Sequence, residues 1–77
     1  ALDLAPIRVN AVVPGLIETP LWDSFGPHRE AILARGAKLP VGRIGQPQEV
    51  AEAVIFLMSN GFVTGTSLTI DGGGSLV

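Results

Sequence analysis

Ile7-Arg8-Val9-Asn10-Ala11-Val12-Val13-Pro14-Gly15-Leu16-Ile17-Glu18-Thr19 decides the fold. Val9, Ala11 and Val13 alternate with Arg8, Asn10 and Val12, so apolar residues fall on both faces, which suits a strand covered by helices on each side. Pro14 has no N–H for a ladder and biases Val13 away from helical backbone, which predicts a strand over 7–13 that stops there. Gly15 leaves the backbone bare, so a flat ligand surface could approach it closely. Thr19 is placed to cap a helix with Pro20 at its first position, gathering one hydroxyl and several free N–H groups just beyond the strand end. Open α/β sheets bind ligands at that end of their strands. On pattern alone, an ordinary Pro-Gly turn with Thr19 as a simple cap is the favoured reading.

Outward from this stretch, composition narrows the function classes. The 77 residues carry five Lys or Arg against seven Asp or Glu, a net charge of -2, with no basic patch of the kind nucleic-acid surfaces need. No Cys is present and there is one His, which rules out disulfides and zinc-type ligand sets. His28, beside Pro27 and Arg29, reads as an exposed residue because no acid or nucleophile is placed next to it. No apolar run is long enough to span a bilayer, and Ala1-Leu2-Asp3-Leu4 lacks the basic start of a signal peptide. The expected location is cytoplasmic, with any targeting segment lying upstream. A chain this short buries only about 60% of its unfolded surface. Yet 47% of its residues are hydrophobic and 16% charged, more apolar surface than two short strands could cover.

Along the chain, residues 1–6 read as the end of a helix closed by Pro6, followed by the strand 7–13 and an irregular region over 14–46. Within that region Pro20 to Phe25 allows one helical turn. Pro27 to Arg35 predicts a short helix with Gly36 at its C-terminal cap. Trp22, Phe25, Ile32 and Leu33 are equally suited to lining an apolar pocket and to packing this insert down. The long helix is predicted over 47–59, within the segment 47–60, with Pro47 at its first position and Gln48 and Glu49 favouring its positive end. Val50, Val54, Leu57 and Met58 form its stripe, while Ala53, Ile55 and Phe56 extend apolar character around the cylinder, so it must be covered on more than one side. Gly61, with Asn60 beside it, is the natural stop. A second strand follows over 66–70, and Asp71-Gly72-Gly73-Gly74-Ser75 opens a tail over 71–77 that leads into no helix and so reads as structural, not as a phosphate cradle. Two strands joined through a helix should run parallel. The fold class is α/β, one flank of a larger doubly wound parallel sheet with two strands, one long helix and short helices in a loop, forming a single partial domain over 1–77.

Three blocks now give a family resemblance: Ile7 to Gly15 running on to Thr19, Gly42-Arg43-Ile44-Gly45-Gln46-Pro47-Gln48-Glu49-Val50-Ala51, and Phe62-Val63-Thr64-Gly65 running on to Asp71-Gly72-Gly73. In this order and spacing the chain resembles the C-terminal part of short-chain dehydrogenase/reductases. The resemblance implies a Rossmann-like fold and NAD- or NADP-dependent hydride transfer between an alcohol and a carbonyl compound. It implies that Pro14 and Gly15 form a shelf against the nicotinamide, that the Ile17 backbone meets its carboxamide, and that the Thr19 hydroxyl reaches the carboxamide or pyrophosphate. The segment Pro20 to Lys38 corresponds to the variable substrate loop, so Leu21, Trp22 and Phe25 would shape a pocket for a small alcohol or carbonyl substrate. Residues 47–60 and 66–70 correspond to a subunit interface, implying a homo-oligomer, while the composition already argues against nucleic-acid, membrane and metal partners.

The chain contains no Tyr, so the family's Tyr-x-x-x-Lys pair is not in it, and neither are the Gly-rich pyrophosphate loop and the catalytic Ser region. No catalytic residue is therefore assigned, and the 77 residues alone are expected to be inactive. The connection Met58 to Phe62 is also shorter than in relatives. The leading expectation is the C-terminal segment of such an oxidoreductase, supplying nicotinamide contacts, substrate loop and oligomer contacts. The alternative is a truncated, non-catalytic relative acting as a docking or dimerisation module, and a free-standing small-ligand binding protein is the third.

Overall fold

The structure, a computed structural model, describes residues 1–18 and 28–77. It begins with a single 3-10 turn, Leu2–Leu4, where a helix end was expected over 1–6. Strand β1, Ala11–Pro14, then pairs in parallel with β2, Ser67–Ile70, in the register Ala11↔Ser67 to Pro14↔Ile70. A parallel pair flanked by helices is the partial Rossmann-like arrangement expected of the sequence.

Both strands differ from their predicted limits for reasons visible in the hydrogen bonds. Pro14 does not end β1. In a parallel ladder only alternate residues point their N–H groups at one neighbour, and the group offered to β2 here is Gly15 N–H, donated to the Ile70 carbonyl at 2.9 Å. The missing donor of Pro14 faces away from β2 and costs this ladder nothing. Residues 7–10, predicted as strand, meet the segment 63–66 that leads into β2 without forming the regular ladder. The Gly65 N–H still meets the Val9 carbonyl at 2.9 Å, but the Thr66 N–H goes to Asn10 Oδ1 at 3.1 Å and the Val9 N–H to Thr64 Oγ1 at 3.2 Å, so side chains take two of the places that carbonyls would hold in a regular ladder. The same Asn10 contact moves the start of β2 from 66 to Ser67.

Helix α1 spans His28–Ala37. The predicted start at Pro27 and the predicted turn over 20–25 lie outside the described residues. Gly36 is not the terminal cap expected of it but a buried residue inside the helix. A methyl group there would collide with the Ile44 side chain and sit 2.9 Å from the Ile44 nitrogen, so the glycine is set by a packing contact eight residues away.

Helix α2 spans Pro47–Ser59, as the periodicity predicts. Its start is closed reciprocally: Gln46 N–H donates to Glu49 Oε1 and Glu49 N–H to the Gln46 carbonyl, both at 2.9 Å. The Arg43 guanidinium forks onto the two Glu49 oxygens at 2.7 and 2.8 Å, fixing the preceding loop to the cap. The helix stops at Asn60, whose side chain takes the Phe62 N–H at 3.0 Å. Gly61, the expected stop signal, does not adopt the left-handed conformation of a glycine cap.

α2 covers one face of the sheet, where Val12, Leu68 and Ile70 are half-buried, while Ala11, Val13, Ser67 and Thr69 on the other face are exposed. The two-sided cover predicted for the strand is therefore not supplied by the described residues. Ile44 and Leu57 are their only buried hydrophobic side chains. The accessible surface is 5590 Å², against roughly 4450 Å² for a compact protein of this mass. The radius of gyration is 15.2 Å, against about 11.5 Å for a compact domain of this length.

Candidate functional site

The carboxyl ends of β1 and β2 open together, and the predicted site residues that the structure describes lie there. Pro14 is the last residue of β1 and Gly15 follows it. A methyl group on Gly15 would come within 2.6 Å of Asp71 Cβ and 2.8 Å of Asp71 Cα, so one side of this glycine is taken up by the chain leaving β2. The Asp71 carboxylate is itself engaged, accepting from Gly73 N–H at 3.0 Å and Ser75 N–H at 2.9 Å. Its bonds with Ser75 hold it below the usual carboxylate range. Gly15, Leu16, Arg35, Leu39, Asp71 and Ser75 line an open groove of about 450 Å³.

Ile17 forms an isolated parallel bridge with Gly45. Gly45 N–H donates to the Leu16 carbonyl and Glu18 N–H to the Gly45 carbonyl, each at 2.9 Å. Those two bonds pin the peptide planes on either side of Ile17. Because N–H and C=O point to opposite sides of a trans peptide, the Ile17 N–H and carbonyl are turned away from Gly45. Neither has a hydrogen-bond partner among the described residues. One donor and one acceptor side by side are complementary to one edge of a primary carboxamide, where an N–H lies beside the carbonyl oxygen. Thr19, Leu21, Trp22 and Phe25 lie outside the described residues.

Glu18 follows immediately and was not singled out in the sequence. Arg29 Nη2 donates to Glu18 Oε1 at 2.8 Å and Gln46 Nε2 to Glu18 Oε2 at 3.0 Å. The Arg29 bond first, and the Gln46 bond after it, hold the Glu18 carboxyl below its ordinary range. No local pattern marks this cluster, since its members are 11 and 28 positions apart. The Gln46-x-x-Glu49 spacing before an apolar helix did offer a signal for the second cluster, where Arg43, then the Gln46 backbone, lowers the Glu49 carboxyl to about 2.

Elsewhere, a groove of about 390 Å³ lies between the sheet and the end of α2, lined by Arg8, Asn10, Val12, Val54, Leu57 and Met58. Among the described residues no group of His, Cys, Asp and Glu could hold a metal, and no helix is long and apolar enough to cross a membrane. His28 is exposed.

Residues 1–75 match the family described as Enoyl-(Acyl carrier protein) reductase. The chain is 48% identical over 80 residues to a short-chain dehydrogenase/reductase of Stachybotrys chlorohalonatus, covering 99% of this chain and 30% of that protein. It is 49% identical over 70 residues to the 3-oxoacyl-(acyl-carrier-protein) reductase FabG of Thermotoga maritima, covering 87% of this chain and 27% of that one. Among solved structures, a small-chain dehydrogenase in complex with NADPH superposes with a TM-score of 0.91 at 40% identity, over 99% of this chain and 36% of the other. The chain thus spans about three-tenths of the length of the curated relatives it matches.

Proposed function

The chain belongs to the short-chain dehydrogenase/reductase family, and from that premise we propose that these 77 residues by themselves form a non-catalytic docking module of that oxidoreductase fold. The observation that supports this is the uncovered apolar surface: Ile55 is 61% exposed, Phe56 52%, Met58 71% and Phe62 100%, alongside the open face of the sheet. Burying such side chains yields about 1.5–3 kcal/mol each, a gain available only through contact with further polypeptide. A second copy, meeting residues 47–60 and 66–70, is one such partner. With no Tyr in the chain, the acid/base pair of the family has no member here. Sedimentation of the purified chain tests the reading, with self-association expected and a folded monomer overturning it. Assay with NADH or NADPH and a panel of ketones should give no turnover.

A second reading is favoured by the orientation of Ile17. As part of an NAD(P)-dependent oxidoreductase acting on a small alcohol or carbonyl substrate, the same residues present the nicotinamide side of the site. The Ile17 N–H and carbonyl would hold the carboxamide, Pro14 and Gly15 would form the shelf beneath the ring, and Thr19 would add its hydroxyl. Leu21, Trp22 and Phe25 would border the substrate. The bound dinucleotide supplies or accepts the hydride, and the work of this chain is orientation, which contributes by holding reactants in a reactive geometry. Equilibrium titration of the assembled protein with NADH and NADPH tests this reading. Binding of one or both supports it, and binding of neither overturns it.

A further inference from the structure

We propose that Glu18 is a positioning residue for the nicotinamide carboxamide, acting through the Ile17–Glu18 peptide, an inference that rests on the reading in which Ile17 meets that group. Among the described residues the bridge between Ile17 and Gly45 is isolated, held by two backbone bonds and belonging to no named strand. The Glu18 side chain supplies the missing support. One carboxylate oxygen is held by Arg29 in the first turn of α1 and the other by Gln46 at the cap of α2, at 2.8 and 3.0 Å. Both oxygens are thereby committed to different helices, and the carboxylate cannot swing without breaking a bond to one of them.

The consequence falls on the peptide plane. Glu18 N–H donates to Gly45 and the Ile17 carbonyl lies in the same rigid unit, so holding the Glu18 Cα fixes the direction of that carbonyl. The Ile17 side chain adds a second restraint by lying against Gly45, where a methyl group would meet Ile17 Cδ1 at 2.6 Å. Gln46 belongs in turn to the cap that Arg43 and Glu49 close, so the support continues into α2. Arg29–Glu18–Gln46 is a brace joining the starts of two helices to one hydrogen-bonding peptide. Its charge-assisted bonds are stronger than neutral ones.

The test is equilibrium binding in the assembled oxidoreductase that contains these residues, comparing NADPH and NADH with ADP-ribose, which lacks the nicotinamide. Glu18→Ala should weaken binding of the reduced dinucleotides roughly tenfold, the scale of one lost polar restraint, and leave ADP-ribose unchanged. Glu18→Gln, which keeps an acceptor for Arg29, should recover part of that loss. Arg29→Gln combined with Glu18→Ala should add little to Glu18→Ala alone. Unchanged dinucleotide binding by Glu18→Ala, or an equal loss of ADP-ribose, would overturn the positioning role. Failure of the wild type to bind either dinucleotide while binding ADP-ribose would instead overturn the underlying nicotinamide reading, and the inference with it.

Discussion

The Arg8 guanidinium closes the end of α2, its Nη1 donating to the Leu57 carbonyl at 2.7 Å across 49 positions of sequence. Nη1 also reaches the Val63 carbonyl at 3.0 Å, and Nη2 the Met58 carbonyl at 2.9 Å. The last carbonyls of a helix have no partner within it, and a cation at that end also meets the negative pole of the helix. Asn10 donates to the same Val63 carbonyl at 3.0 Å. Arg8 and Asn10 therefore tie the approach to β1 to the end of α2 and to the loop before β2.

Arg8→Ala should destabilise the assembled protein by about 2 kcal/mol, the range for hydrogen bonds made by a charged donor, read as a lower urea midpoint at unchanged slope. Arg8→Lys should recover less than half, because an ammonium lacks the planar fork that reaches three carbonyls. A midpoint unchanged by Arg8→Ala would show that water replaces the guanidinium at no cost.

The elements legible in the sequence are those whose causes are local. α2 was readable because Pro47, Glu49 and the apolar stripe all lie within it, and the parallel direction of the strands because two short β runs flank a helix, whereas that they pair directly is seen only in the structure. The limits of β1 were not, because they depend on where Asn10 and Thr64 send their side chains and on which way the Pro14 nitrogen faces. Gly36 was misread as a cap because glycine near a helix end has that local meaning, whereas its cause is Ile44. At the candidate site, Pro14 and Gly15 stood out through the strand end, and Ile17 only through the family resemblance. Glu18 did not, because its partners come from two separate helices.

Gly36→Ala sets two effects against each other. Replacing glycine inside a helix gains up to about 1 kcal/mol, but the added methyl enters the space of Ile44, and overpacking costs about 1–3 kcal/mol. The Ile44 backbone nitrogen, 2.9 Å from the new carbon, cannot move like the tip of a side chain, so net destabilisation is expected in chemical unfolding. A raised midpoint would contradict the tight contact.

Acid should loosen the start of α2. The Glu49 carboxyl, lowered from 4.5 to about 2 by Arg43 and the Gln46 backbone, contributes stability that is present above its unfolded value and lost as pH falls through the folded one. The helical circular dichroism of the assembled protein should therefore acquire an acid-sensitive component between about pH 4.5 and 2 that Glu49→Gln removes. The same profile in wild type and variant would assign the acid response to other groups.

Ile55 and Phe56 stand on the outer face of α2, 61% and 52% exposed. Placing a charge there opposes docking without touching the cap or the sheet, since a buried unpaired charge costs several kcal/mol. Phe56→Glu and Ile55→Glu should each shift the protein toward smaller species in sedimentation equilibrium, with Ala34→Glu, on an exposed position of α1 outside 47–60 and 66–70, as the comparison. An unchanged assembly state would place the contact elsewhere.

The described residues cover one face of the sheet and enclose little interior, and calorimetry of the 77-residue chain across a hundredfold range of concentration tests most directly whether it needs a partner to fold. The prediction is no cooperative heat-absorption peak at the lowest concentration, with any transition appearing and rising in temperature as concentration increases. A sharp peak at a fixed temperature throughout, from a species that sediments as a monomer, would contradict it.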